Sequence, residues 1–217
     1  MIIEPFARRF NVLKKLNYHI QYVLDIGAYR GDFTETVKSV WPTAIVRQFE
    51  ADERQLPWLQ SNAINTLLGN EEKEVDFYTL GPDKITTGSS IYKELTPHYN
   101  PESTVVMRKQ MTTLDILDAK HNFYGNWKSN GLIKIDTQGS ELLILKGAKN
   151  FLKKEPKYIL LECSVLPYNQ GAPIVSDVII EMSTMGYLVR DIFDLSYDRS
   201  GRLLQTDILF ERITDTK

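Results

Sequence analysis

Along residues 21–61 the chain alternates between unbroken apolar runs and helical spacings of apolar positions. "QYVLDI" (21–26) is a strand-like run, and Phe33, Val37 and Val40 then recur at helical intervals over 32–40. "AIVRQFE" (44–50) is a second run that ends in Glu50, and residues 52–61 carry a helical pattern. The alternation returns in the second half. "GLIKID" (131–136) is followed by a predicted helix over 140–152, with Leu142, Leu145, Ala148 and Leu152 on one face, ended before Pro156. "KYILLEC" (157–163) is the next strand, and a helix opened by Pro173 carries Ile174, Val178, Met182 and Met185 before Gly186 closes it. Strands that alternate with helices predict an α/β protein with a parallel sheet covered on both faces. The end departs from this rule. "YLVRDIF" (187–193) and "QTDILFERI" (205–213) are joined by a polar loop containing Ser200-Gly201, which predicts an antiparallel pair at the sheet's end.

The remaining segments fill out a single domain, since 217 residues is ample for one and short for two. Residues 1–20 form an N-terminal helical segment, with Phe6, Phe10 and Leu13 inward and Arg8, Arg9, Lys14 and Lys15 on a solvated face. "INTLL" (64–68) is a third strand closed by Gly69-Asn70, while "EVDFYTL" (74–80) and "VVMRKQM" (105–111) are extra strands. Gly81 to Glu102 is rich in Gly, Pro, Ser and Thr and is expected to be a long loop. Together with the connection at 113–130, it makes residues 81–130 the substrate side. A net charge of −2 gives no general attraction to nucleic acid or an anionic membrane. The lone cysteine, Cys163, sits in a strand pattern, which predicts a core thiol and a reducing compartment. No run approaches the ~18 apolar residues of a membrane span. With no signal-peptide pattern at the start, a cytoplasmic location is expected.

The chemistry starts at "VLDIGAYRGDF" (23–33), a strand–turn–helix of the kind that holds an adenosine-bearing cofactor. Glu50, at the end of the next strand, is placed to accept ribose hydroxyls. NAD sites favour G-x-G-x-x-G, but Tyr29 stands at the middle glycine and Asp32 at the helix start, where a carboxylate opposes a pyrophosphate. S-adenosylmethionine (SAM), cationic at sulfur and free of phosphate, fits better. No P-loop occurs, and His19, His98 and His121 are scattered without metal-ligand spacing. The glycines alone would equally make a tight turn, with Asp25 capping it.

"VLDIGAYRGDFT", "QFEAD", "LLGNEEKEVDFY", "TTLD", "IKIDTQGSELLILKGA", "ILLEC" and "LQTDILF" occur in the order seen in FkbM-type SAM-dependent methyltransferases. The chain resembles that family from about residue 22 to 211, most specifically through "IKIDTQGSELLILKGA". The resemblance implies a Rossmann-like class I methyltransferase fold, with a mostly parallel seven-stranded sheet and an antiparallel last strand. It also implies methylation of a hydroxyl on a sugar, glycan or natural product. Two positions depart from the family pattern: Tyr29, where Asn is frequent, and Ala51, where Pro usually follows the acid. By resemblance, Gly27, Ala28, Tyr29 and Gly31 surround the methionine end and Asp25 orients its amino group. Glu50 and Ala51 meet the ribose, and Gly69 and Asn70 border the adenine.

A hydroxyl nucleophile must lose a proton to a base within hydrogen-bond reach. Asp136 ends the fourth strand, and Lys134, two residues earlier, points to the same face. Glu162, near the end of the fifth strand, is the other candidate. Each has a structural alternative: Lys134 as an ion pair with a carboxylate such as Asp25, Glu162 as a satisfied strand-end group. Glu141 suits its helix first turn regardless of chemistry, and Asp207 is expected to be structural. A divalent ion held by Asp136 and its neighbours is the alternative to a metal-free site. Tyr92, His98, Tyr99, Phe123, Tyr124 and Trp127 either stack on the acceptor or anchor long loops. Two rival functions are a ribose 2′-O-methyltransferase on nucleic acid and a non-catalytic SAM-binding protein. The first lacks the basic stripe that phosphates require; retention of Lys134, Asp136 and Glu162 speaks against the second.

Overall fold

Alternate residues of the central strands feed two separate apolar layers, as the period of two in a strand dictates. The computed structural model describes residues 1–81, 87–96, 99, 102–123 and 127–213. Strands β1 (Tyr22–Ile26), β2 (Ile45–Glu50) and β3 (Ile64–Asn65) come first, separated by helix α2 (Asp32–Val40) and preceded by α1 (Glu4–Lys15). A small sheet follows, made of β4 (Leu67–Leu68), β5 (Lys73–Leu80) and β6 (Thr104–Thr112) in the order β4-β6-β5. Helices α3 (Leu114–His121) and α4 (Trp127–Asn130) lead to β7 (Gly131–Ile135), α5 (Glu141–Lys146) and β8 (Tyr158–Ser164). Helix α6 (Val175–Thr184) and strands β9 (Tyr187–Tyr197) and β10 (Leu203–Arg212) complete the chain.

The seven-stranded sheet has the order β3-β2-β1-β7-β8-β10-β9. It is parallel from β3 to β8, and β10 runs antiparallel to both β8 and β9, as the C-terminal pattern predicts. One face packs Val23, Val46, Leu132 and Leu160 under α1 and α2, where Phe6, Phe10, Phe33 and Phe193 meet edge to face. The other face packs Ile26, Ile133, Ile135 and Leu161 against residues of α3, α5 and α6. Arg9 of α1, expected on a solvated face, is ion-paired with Asp191 of β9.

Four boundaries differ from the sequence reading for local reasons. The 52–61 helix is a 3₁₀ turn at Glu53–Trp58, because Pro57 cannot donate to a longer ladder. The 64–68 run is divided between two sheets, with β3 on β2 and β4 on β6. The 140–152 helix ends at Lys146, before Gly147, and resumes as a 3₁₀ turn at Phe151–Lys154. Helix α6 begins at Val175, with the Asp177 carboxylate accepting from the Ile174 amide. Of the aromatic residues in the expected substrate-side loops, Phe123 and Trp127 are core anchors. Their rings lie edge-on to Phe49 (5.5 Å) and Phe151 (5.0 Å). Tyr99 is also buried, whereas His98 and Tyr124 lie outside the described residues. Cys163 is a buried core thiol. Among the described residues no helix is long and apolar enough to cross a membrane.

The end of α5 meets the turn after β4, and that turn meets β6, where glycines leave no room for side chains. A Cβ on Gly147 would lie 2.0 Å from the Gly69 carbonyl oxygen, and one on Gly69 would lie 2.1 Å from Met111 Sδ. Gly147→Ala is expected to destabilise the protein by about 1–3 kcal/mol, the usual cost of overpacking. Gly81→Ala, with open space around it, should be nearly silent. Denaturant midpoints at constant slope would measure both; a silent Gly147→Ala would show that the end of α5 and the turn after β4 do not pack this closely.

Candidate active site

The ends of β1, β7 and β8 bring a row of charged side chains onto the α1–α2 face of the sheet. Asp25 and Lys134 are direct neighbours in register, and Asp136 and Glu162 extend the same faces of β7 and β8. The Lys134 ammonium donates to the Gly27 carbonyl at 2.7 Å and lies 3.5 Å from both Asp25 Oδ1 and Asp136 Oδ2. Burial opposes its charge, but Asp136 and Asp25 outweigh that, and its pKa stands above the usual lysine value. Asp25 is fully buried, accepts from Thr34 Oγ1 at 2.7 Å, and has its pKa raised by burial against the pull of Lys134. Lys134 therefore does form the ion pair with Asp25, and it reaches Asp136 as well.

The turn after β1 is shaped by close approach. Gly27 has φ +73°, and a Cβ there would lie 1.9 Å from the Asp136 carbonyl oxygen. The amides of Gly27 and Ala28 both donate to Phe49 O at 3.0 Å, and Gly31 N donates to Ala28 O at 2.8 Å. Tyr29 is left-handed (φ 47°), a conformation that Asn tolerates better, so its departure from the family pattern falls on a strained position. Its amide donates to Glu50 Oε2 at 2.8 Å, and the Asp52 amide donates to Glu50 Oε1 at 2.7 Å. Glu50, 9% exposed, is thus aimed by two backbone amides, and its pKa is raised by burial against their pull.

A cleft of about 790 Å³, counting its open mouth, lies beside this turn. Phe49, Leu67, Leu68, Phe77 and Ile91 give it apolar walls, while Glu50, Asp52 and Asp136 give it acidic ones. Among the described residues, its lining contains no lysine or arginine. Gly27, Tyr29, Glu50, Ala51 and Asp136, five of the residues singled out in the sequence, line it. Asp25, Ala28, Gly31, Lys134 and Glu162 stand behind or beside that lining. Gly69 and Asn70 do not border it either: Gly69 is packed against Met111, Asn70 is exposed, and Thr66 to Leu68 take the wall at that strand end.

The rim beyond Asp136 holds residues that sequence reasoning missed. Gln138, left-handed at φ 58°, donates its amide to Asp136 Oδ1 (3.1 Å) and to Glu162. Its carbonyl accepts from Ser90 Oγ (2.8 Å) and Asn169 Nδ2 (3.0 Å), which ties two distant loops to the site. Gln205 donates to the other oxygen of Glu162 and accepts from the Tyr168 hydroxyl at 2.6 Å. The available signal was position: Gln138 lies inside "IKIDTQGSE", and Gln205 shares a strand face with Asp207. Glu141 is a clamp for the loop, accepting from the amides of Thr137 (2.8 Å) and Gly139 (3.0 Å). Burial, Asp136 and Asp207 push the Glu162 carboxyl well above the usual range. Among the described residues, no group of three or more His, Cys, Asp and Glu side chains is arranged to hold a metal.

A sequence profile described as the methyltransferase FkbM domain matches residues 25–189. No curated protein matches the chain. Among solved structures, a methyltransferase FkbM from Methylobacillus flagellatus KT is similar over 88% of this chain and 43% of its own, at 17% identity and a TM-score of 0.49. The chain thus spans under half the length of that protein. The magnesium protoporphyrin IX methyltransferase of Synechocystis PCC 6803 with bound SAM is similar over 96% and 80%, at 9% identity and a TM-score of 0.49. TrmK of M. capricolum in complex with S-adenosylhomocysteine is similar over 94% and 67%, at 14% identity and a TM-score of 0.48.

Asp207 faces Glu162 across the β8–β10 ladder, and burial with the Asp136 charge pushes its pKa up to about 8. In the unfolded chain it ionises near ~3.9. The folded state therefore holds the extra proton between those values, and stability falls as pH rises through that window. Asp207→Asn removes this penalty, so its gain in Tm over the parent is expected to be larger at pH 8.5 than at pH 5. An equal gain at both pH values in thermal melts would show that Asp207 ionises normally.

Proposed function

The chain belongs to the FkbM family of SAM-dependent methyltransferases, and from that premise we propose that it methylates a hydroxyl of a sugar, glycan or natural product, with Asp136 as the base. One observation carries the assignment of the base. Of the four carboxylates grouped around Lys134 (Asp25, Asp136, Glu162 and Asp207), Asp136 lines the cleft, with its side chain 33% exposed.

The residues present fit SAM. An ionised carboxylate has about four acceptor sites, and the amides of Tyr29 and Asp52 occupy one on each oxygen of Glu50. A site on each oxygen remains for the two ribose hydroxyls. Acidic walls with no lysine or arginine among the described lining residues suit a sulfonium and oppose a pyrophosphate. When bound, SAM supplies an electrophilic methyl group. Lys134 on Oδ2 and Gln138 on Oδ1 hold the Asp136 carboxylate in one orientation and leave each oxygen able to accept the acceptor's proton. The same lack of cations among the described lining residues weighs against a polyanionic acceptor such as RNA.

Calorimetry with S-adenosylhomocysteine, followed by methyl transfer to a panel of hydroxyl acceptors, tests the proposal. Asp136→Asn is expected to leave S-adenosylhomocysteine affinity within a few-fold and to lower turnover by at least about 100-fold. Equal losses of affinity and turnover would remove Asp136 from the role of base. Cofactor binding without transfer to any acceptor would favour a non-catalytic SAM-binding protein.

A further inference from the structure

We propose that Arg30 receives the carboxylate of the cofactor's amino-acid arm, an inference that rests on the SAM reading of the cleft. That arm is a zwitterion, so the site must satisfy an anion in a cleft whose own ionisable lining is Glu50, Asp52 and Asp136. The usual donors are already spent. The turn amides of Gly27 and Ala28 are held by Phe49 O, that of Tyr29 by Glu50, and that of Gly31 by Ala28 O. The start of α2, which would otherwise attract an anion, carries Asp32, itself paired with the N-terminal ammonium of Met1.

The neighbouring cations are engaged as well. Lys134 is buried on Gly27 O. Arg54 is wrapped around Asp52, with further bonds to Leu80 O and Thr79 Oγ1. Lys109 holds Ala51 O and Glu53. Arg30 differs from all three. It is exposed, and its described hydrogen bond is a long one, 3.4 Å from Nε to Gln55 Oε1. That bond leaves its two terminal amino groups, the part of the fork that grips a carboxylate, for a ligand.

Arg30 is also held in place. Its guanidinium lies 5.3 Å from the Tyr29 ring centre and 5.0 Å from that of Trp58, within cation–π range of both. Tyr29 and Gln55, the two residues that bind Arg30 nearest the turn, are themselves part of the cleft lining. The guanidinium thus stands beside the glycine turn, next to the part of the lining that Tyr29 and Gln55 form. This placement accounts for the unusual residue at position 29, because the left-handed tyrosine presents a ring on which Arg30 rests. It also accounts for the 63% exposed Trp58 beside the cleft.

The test compares S-adenosylhomocysteine with its decarboxylated analogue, 5′-S-(3-aminopropyl)-5′-thioadenosine, by calorimetry on the full chain. For Arg30→Ala, S-adenosylhomocysteine affinity is expected to fall about 10- to 100-fold, the range for a lost charge-assisted hydrogen bond, with the analogue changed by less than about twofold. Arg30→Lys should lose less, because it keeps the charge while giving up the fork. Unchanged S-adenosylhomocysteine affinity in Arg30→Ala would overturn the assignment, as would equal losses for the two ligands. Failure of the parent protein to bind S-adenosylhomocysteine would instead overturn the SAM reading itself, a result separable from any effect of Arg30.

Discussion

The site depends on one buried ammonium. Lys134 joins the turn after β1 to the end of β7 by donating to Gly27 O while facing Asp25 and Asp136. Such a charge is costly to desolvate and is retained only with partners around it. Here the partners are the pieces the site needs: the glycine turn, the α2 start through Asp25 and Thr34, and the carboxylate at the cleft. Gly27 makes the arrangement possible, because any larger residue would collide with the backbone of Asp136. Turn, Asp136 and helix start are therefore fixed against each other by one side chain rather than by three separate contacts.

That single cation is outnumbered. Asp25, Asp136, Glu162 and Asp207 surround it, and the surplus is relieved by carboxyl groups that hold their protons far above the usual range, Glu162 and Asp207 among them. The cleft next to this row inherits an acidic character through Glu50, Asp52 and Asp136. In the proposed reaction the field is favourable to the sulfonium of the donor and weaker toward the neutral thioether left behind. The acidity that would repel NAD thus helps both to bind the donor and to release its product.

The pattern of apolar positions was enough to place β1, β2, β7 and β8 and the antiparallel β10, while the glycine turn, the strand-end acids and the family resemblance pointed to Gly27, Glu50 and Asp136. Those features are local: each is set by the period of its own segment or by a turn that only glycine accepts. What was not legible depends on partners. Nothing within "INTLL" says that its two halves join different sheets. Phe123 and Trp127 look like ligand platforms until the core that receives them is known. Asp25, expected to orient the amino end of the cofactor, faces Lys134 and Thr34 behind the turn, partners its own segment does not reveal. Gln205 and Asn169 enter the site only through strand pairing and loop contacts remote in sequence.

Two non-glycine residues in left-handed conformation, Tyr29 and Gln138, flank the cleft at the ends of β1 and β7. Each costs roughly 1–2 kcal/mol relative to a relaxed backbone, so each must be held by its surroundings. Tyr29 is fixed by its amide on Glu50, and Gln138 by two hydrogen bonds to its carbonyl from Ser90 and Asn169. In return, the first aims the proposed ribose acceptor, and the second sets an amide between Asp136 and Glu162. Local preference is thus violated where two strand-end turns meet the proposed chemistry. The violations are stable because the residues that impose them come from other parts of the chain. A glycine at either position would relieve the strain, but at Gln138 it would delete the bridge, and at Tyr29 the ring beneath Arg30. Strain at these two positions is the cost of having a side chain where the site uses one.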